Sequence, residues 1–142
     1  MHLCATDVVR GNCTKSIKTY LLDGIKVDIV NYKYAWIDNP LTEDGVILAS
    51  PKDIAAMKVN AIMGRGTKKD FVDMYFLLQH YSFKDIMQFY LQKYTDGSEY
   101  RALLSMTYFD DADLQPMPFM FQPVEWESLK REIKKNVEEY IK

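Results

Sequence analysis

Residues 50–78, SPKDIAAMKVNAIMGRGTKKDFVDMYFLL, hold the longest apolar run of the chain together with a dense set of charges. They read as two helices joined at Gly64-Arg65-Gly66. Ser50 is a strong N-cap, Pro51 occupies the first helical position where no amide hydrogen is required, and Asp53 places negative charge in the first turn. Ile54, Ala55, Ala56, Met57, Val59, Ala61, Ile62 and Met63 leave the first helix almost no polar face, and a helix apolar on most sides is a buried one. Lys58 is the exception. An unpaired buried ammonium is costly, so Lys58 needs a partner or a chemical role. Arg65, seven residues on and close to two turns, returns to the same side.

The two glycines permit a tight helix end, and a second helix is predicted from about Thr67, with Phe71, Met74, Tyr75 and Leu78 on one apolar stripe. Asp70 and Asp73 lie three apart in its first turns and are surface neighbours. Two cations, Lys58 and Arg65, and two carboxylates therefore converge on the hinge. The four-residue spacing of Lys69 and Asp73 equally allows an ordinary helix-surface ion pair worth a few tenths of a kcal/mol.

Before this core, IKTYLL and IKVDIV flank Asp23-Gly24, a strong hairpin signal. In the second strand Ile25, Val27 and Ile29 share one face, which puts Asp28 with Lys26 on the more polar one. Residues 1–15 show no periodicity and read as an irregular lead. Residues 31–45 form a connector with bends at Asn39-Pro40 and Asp44-Gly45, and a short strand from Val46 leads to Ser50. Tyr32, Tyr34 and Trp36 alternate; packing or base stacking would both use them, and packing is the commoner use.

After Leu78, Ser82 caps a helix whose stripe is Phe83, Ile86, Met87, Tyr90, Leu91 and Tyr94, ended by Thr95-Asp96-Gly97. A further helix runs from Ser98 to about Phe109 through Tyr100, Leu103, Leu104 and Met106. Pro116, Pro118 and Pro123 make a loop of DDADLQPMPFMFQP. A last helix from Glu125 turns Trp126, Leu129, Ile133, Val137 and Ile141 inward.

With 142 residues, 48% hydrophobic and 27% charged, the chain has the composition of one globular domain able to bury a core without disulfides. We divide that single domain, 1–142, into a strand-rich part, 1–49, and a helical part, 50–142. A net charge of −2 excludes a generally basic nucleic-acid binder, but residues 52–69 carry Lys52, Lys58, Arg65, Lys68 and Lys69 against Asp53 alone. Such a patch suits a phosphate-bearing ligand. Cys4 and Cys13 read as reduced thiols, although a bridge between them is geometrically allowed. No stretch has transmembrane length and the first residues lack a signal-peptide pattern, so a cytoplasmic address without membrane association is expected.

A helical Lys, an Arg seven later, then Lys-Asp-x-x-Asp-hydrophobic-Tyr (Lys58, Arg65, Lys69, Asp70, Asp73, Met74, Tyr75) resembles the AbiEii-type nucleotidyltransferase toxins of bacterial abortive-infection and phage-defence systems. GIKVDIVNY resembles the strand that carries the last active-site carboxylate of that fold. The resemblance implies an α+β protein, in which a small antiparallel or mixed sheet, the remnant of a nucleotidyltransferase fold, precedes a bundle of four to five helices. It implies catalytic roles for Lys58, Asp70 and Asp73, nucleotide binding by Lys58, Arg65 and Lys69, and metal binding by Asp28. Mg2+ and a nucleoside triphosphate are the implied cofactors, and an antitoxin protein and an RNA (such as tRNA) or protein acceptor the implied partners. Open strand edges also fit a homodimer.

The superfamily's Gly-Ser turn followed by Asp-x-Asp on a strand, which holds Mg2+ against the triphosphate, has no counterpart before Asp28. Gly97-Ser98 and Asp111-Ala112-Asp113 mimic it, but the residues between them read as helical and Pro116 follows where a strand should continue. The expectation is a truncated or degenerate nucleotidyltransferase, inactive alone, that keeps a basic phosphate-binding hinge. The alternative is a non-catalytic interaction or nucleotide-binding protein that keeps the fold.

Overall fold

The computed structural model describes residues 7–142, so the Cys4 thiol lies outside the described residues, and Cys13 is exposed. The elements run β1 (Val8–Cys13), β2 (Ile17–Leu22), β3 (Ile25–Val30), β4 (Leu41–Glu43), β5 (Val46–Leu48), then α1 (Pro51–Gly64), α2 (Lys68–Leu78), α3 (Phe83–Lys93), α4 (Glu99–Met106), α5 (Asp110–Asp113) and α6 (Trp126–Ile141). This is an α+β fold with two small antiparallel sheets, and five of the helices exceed one turn. The chain divides into two compact units at Ala35/Trp36, within the connector and upstream of the 49/50 boundary drawn from sequence.

The first unit is a three-stranded sheet in the order β1-β2-β3. Asp23 and Gly24 both take positive φ, 48° and 79°, which gives the turn a twist matched to the strands and pairs Thr19 with Asp28. The irregular lead expected over residues 1–15 is corrected by β1, which pairs with β2 from Val8↔Leu22 onward. A bulge between Arg10 and Cys13 breaks its alternation, and a Cβ at Gly11 there would come 3.3 Å from the Thr19 methyl. The strand thus lacks the period that announces one.

In the second unit Asp44 and Gly45 repeat the same turn, φ 49° and 77°, and close the β4-β5 hairpin where a bend had been read. Strands of three residues are too short to show alternation. The helices build one core, and α1 is its centre, packing on α2, α3 and α4. Ala55, Ala56, Val59 and Ile62 are buried as the apolar run required, whereas Ile54 faces water. Ser50 caps α1 by accepting from the Asp53 amide, and Ser82 caps α3 by accepting from Asp85.

Three stripes shift from their predicted phase. In α3 Leu91 is exposed and Lys93 is buried; in α4 Ala102 and Met106 face inward while Tyr100 and Leu104 face out; and Ile141 of α6 is exposed. Residues 110–113, read as loop, form the single turn α5.

Candidate functional site

α1 ends because Arg65 leaves helical angles and Gly66 adopts φ 50°, the two amides donating back to the Ala61 carbonyl. α2 starts two residues later with a capping box: Thr67 at the N-cap and Asp70 at the third position each serve the other's backbone amide. This reversal brings the Asp70 carboxylate back against the hinge. Lys58 Nζ donates to its Oδ1 at 3.1 Å, and Arg65 grips both oxygens, Nε to Oδ2 and Nη2 to Oδ1, at 2.8 Å each. The Thr67 amide and hydroxyl complete five donors on one buried carboxylate.

Burial alone pushes the Asp70 carboxyl up, but Arg65, Thr67 and Lys58 outweigh it and hold the group well below the usual carboxylate range. Both oxygens are hydrogen-bonded, Oδ1 to Lys58 and Arg65 and Oδ2 to Arg65 and Thr67. Asp73 differs. It meets the same ammonium, Lys58 Nζ, at 2.6 Å, yet its side chain is more than half exposed. Arg65 is likewise more than half exposed, whereas Lys58 is mostly covered.

The structure therefore brings together Lys58, Arg65, Asp70 and Asp73, as the spacing predicts. Asp73 pairs with Lys58, not in the four-apart pair with Lys69 that spacing also allowed. Lys69 is exposed and lines a neighbouring groove of about 450 Å3 together with Asp73. On the other side, Arg65 and the two hinge glycines border a depression of about 420 Å3. Asp28 lies in the first unit on β3, where its carboxylate accepts from the Thr19 hydroxyl at 2.6 Å and pairs with Lys26 at 3.2 Å. Among the described residues no three His, Cys, Asp or Glu side chains gather as they would to hold a metal ion. The described residues thus do not offer Mg2+ a three-ligand seat.

The basic patch of residues 52–69 is thinner in space than in sequence. Lys52 pairs with Asp38 at 3.0 Å, and Lys68 turns inward over the Trp126 ring at 4.8 Å. Asp111-Ala112-Asp113 is helical, with Asp113 committed to Trp126 Nε1 at 2.6 Å and Lys130 at 2.8 Å.

Sequence reasoning missed two features. Thr67, seen only as a helix start, is a ligand of Asp70; the Thr-x-x-Asp spacing before an apolar run was its available signal. Lys93 and Asp53 form a fully buried pair at 2.6 Å, joined by the Ser50 hydroxyl at 2.6 Å and by the Ile37 and Asp38 amides. Burial drives the Asp53 carboxyl up, but Lys93, Ser50 and the two amides bring it down to about 2. Lys93 lies three residues from Tyr90 and seven from Ile86, on the α3 apolar stripe, which was its signal.

Residues 14–141 match the protein family described as nucleotidyl transferase AbiEii toxin, type IV TA system. The chain belongs to the AbiEii family. It is 34% identical over 134 residues to an uncharacterized protein of Aquifex aeolicus (strain VF5), a match covering 90% of this chain and 63% of that protein. The chain thus spans less than two thirds of the length of this relative. No solved structure matches it. The AbiEii match contains the whole Lys58–Arg65–Asp70–Asp73 cluster and also Asp28. No helix among the described residues is long and apolar enough to cross a membrane.

Proposed function

We infer that this chain is the nucleotide-phosphate-binding part of an AbiEii-type nucleotidyltransferase, and that by itself it transfers nothing. The observation that carries the reading is the fixing of Lys58 and Arg65 by one buried carboxylate beside the hinge between α1 and α2. Lysine and arginine so positioned are suited to pair with phosphate oxygens. Asp70 is then a positioning residue, and its depressed pKa makes it a poor proton acceptor. Lys69, beside them, takes an outer phosphate. Asp73, the exposed partner of Lys58, is the group a phosphate displaces.

Transfer needs carboxylates that hold metal ions between the phosphates, and one Asp28 cannot replace three. Asp28 accordingly has no part in triphosphate binding. It takes an antitoxin as partner, an RNA such as tRNA or a protein as acceptor, and the cytoplasm as address, from the family alone.

The purified chain, incubated with labelled nucleoside triphosphates, Mg2+ and bulk RNA, should incorporate no label. Robust incorporation that vanishes in an Asp111→Asn, Asp113→Asn double variant would make the α5 carboxylates the metal site and defeat this reading.

The alternative, a non-catalytic interaction module, has its own observation. The edge strands β1 and β3 expose Val8, Val9, Ile25, Ile29 and Val30. Exposed apolar edges invite pairing with a second copy. Light scattering should then show a dimer that Ile25→Lys with Ile29→Lys dissolves; a wild-type monomer at all concentrations counts against it.

A further inference from the structure

The segment 118–122, punctuated by flanking prolines, leaves Phe119 89% and Phe121 95% exposed, with their rings edge to face at 5.7 Å. Two adjacent rings almost wholly in water are unusual in a chain whose other phenylalanines reach the core or its margin. Together with Phe76, Lys69, Asp73 and Gln122 they line the groove of about 450 Å3 beside α2, a volume within the range of small-molecule sites.

We propose that this groove seats the base of the nucleotide whose phosphates Lys58 and Arg65 hold. Asp73 is the link: it lines the groove, and its carboxylate touches Lys58 Nζ at 2.6 Å, so a phosphate replacing Asp73 there has the rest of its nucleotide directed into the groove. The lining suits a planar, polar-edged ring. Aromatic faces stack on any base, so Phe119 and Phe121 suit a purine or a pyrimidine alike. Lys69, Asp73 and Gln122 are poor company for an acyl chain, and the Gln122 amide offers the donor and acceptor that a base edge needs.

This inference rests on the phosphate-binding reading, and the experiment separates the two. Equilibrium binding of ATP, CTP and inorganic tripolyphosphate is measured for the 142-residue chain, for a Phe119→Ala, Phe121→Ala double variant and for Lys58→Met. Both rings are exposed, so the double variant should fold, which circular dichroism checks. The expected result is a loss of roughly tenfold or more in nucleotide affinity in the ring variant, with tripolyphosphate unchanged. Lys58→Met should lose both ligands. Equal nucleotide binding by the ring variant and the wild type, with Lys58→Met still defective, would overturn the base site and leave the phosphate site standing. Absence of any binding, or binding indifferent to Lys58, would overturn both. A wild-type dimer that the ring variant dissolves would assign the two phenylalanines to a second copy of the chain, and overturns the base site as well.

Discussion

Asp70 and Asp73 share one ammonium but not one environment. Asp70 is buried under five donors, while Asp73 stands largely in water with Lys58. A phosphate arriving at Lys58 can displace the second and not the first, because the exposed carboxylate is readily rehydrated. Asp73→Asn should therefore tighten triphosphate binding by roughly five- to tenfold, as one repulsive charge leaves a partly screened site. Weaker binding would instead make Asp73 a direct ligand or base. The buried Asp53–Lys93 pair gives a pH signature. The Asp53 pKa falls from 3.8 to about 2 on folding, so its contribution is complete above about pH 4 and is lost as pH falls through 2. The shift corresponds to about 2 kcal/mol. Lys93→Met should cost roughly 3–5 kcal/mol at neutral pH, since it strands a buried carboxylate. Urea melts should also show a smaller further loss between pH 4 and 2 than in wild type; parallel losses would deny the coupling.

The elements show which signals a sequence carries. Ser50-Pro51, Ser82 and Asp23-Gly24 are local, and each set its boundary as read, because a cap or a turn is decided within four residues. The phase of a helix is a tertiary property, and there local reading slipped: Leu91 lost its inward place to Lys93, whose charge found Asp53 forty positions away in sequence. The strand from Val46 was legible as β5, whereas its three-residue partner β4 and the bulged β1 lacked enough alternating residues to be seen. The cluster was legible from Lys58, Arg65, Asp70 and Asp73, but the hydroxyl of Thr67 that completes it was not read. Gly66 is the element-scale test. Its φ of 50° and the Ile62 carbonyl 3.2 Å from a would-be Cβ make Gly66→Ala strained. It should destabilise by about 1 kcal/mol or more and loosen α2 from the hinge, read as lower triphosphate affinity and a lower denaturation midpoint. An unchanged midpoint would show that the turn tolerates a side chain.

At the scale of the whole molecule, every buried apolar side chain among the described residues falls between Ala55 and Val137, inside the unit that begins at Trp36. A chain of residues 36–142 should accordingly keep a cooperative melt and its helical circular dichroism, and a gradual, non-cooperative melt would tie its core to the first sheet. Asp28 belongs to the first unit, and Lys58 and Arg65 belong to the second. Triphosphate affinity should follow Lys58 and ignore Asp28. The most direct measurement is a titration of nucleoside triphosphate into the intact 142-residue chain and its Lys58→Met and Asp28→Asn variants. The account predicts weak saturable binding that disappears with Lys58→Met and stays within about twofold with Asp28→Asn, the scatter of a substitution that touches no phosphate. Wild-type affinity in Lys58→Met would contradict it.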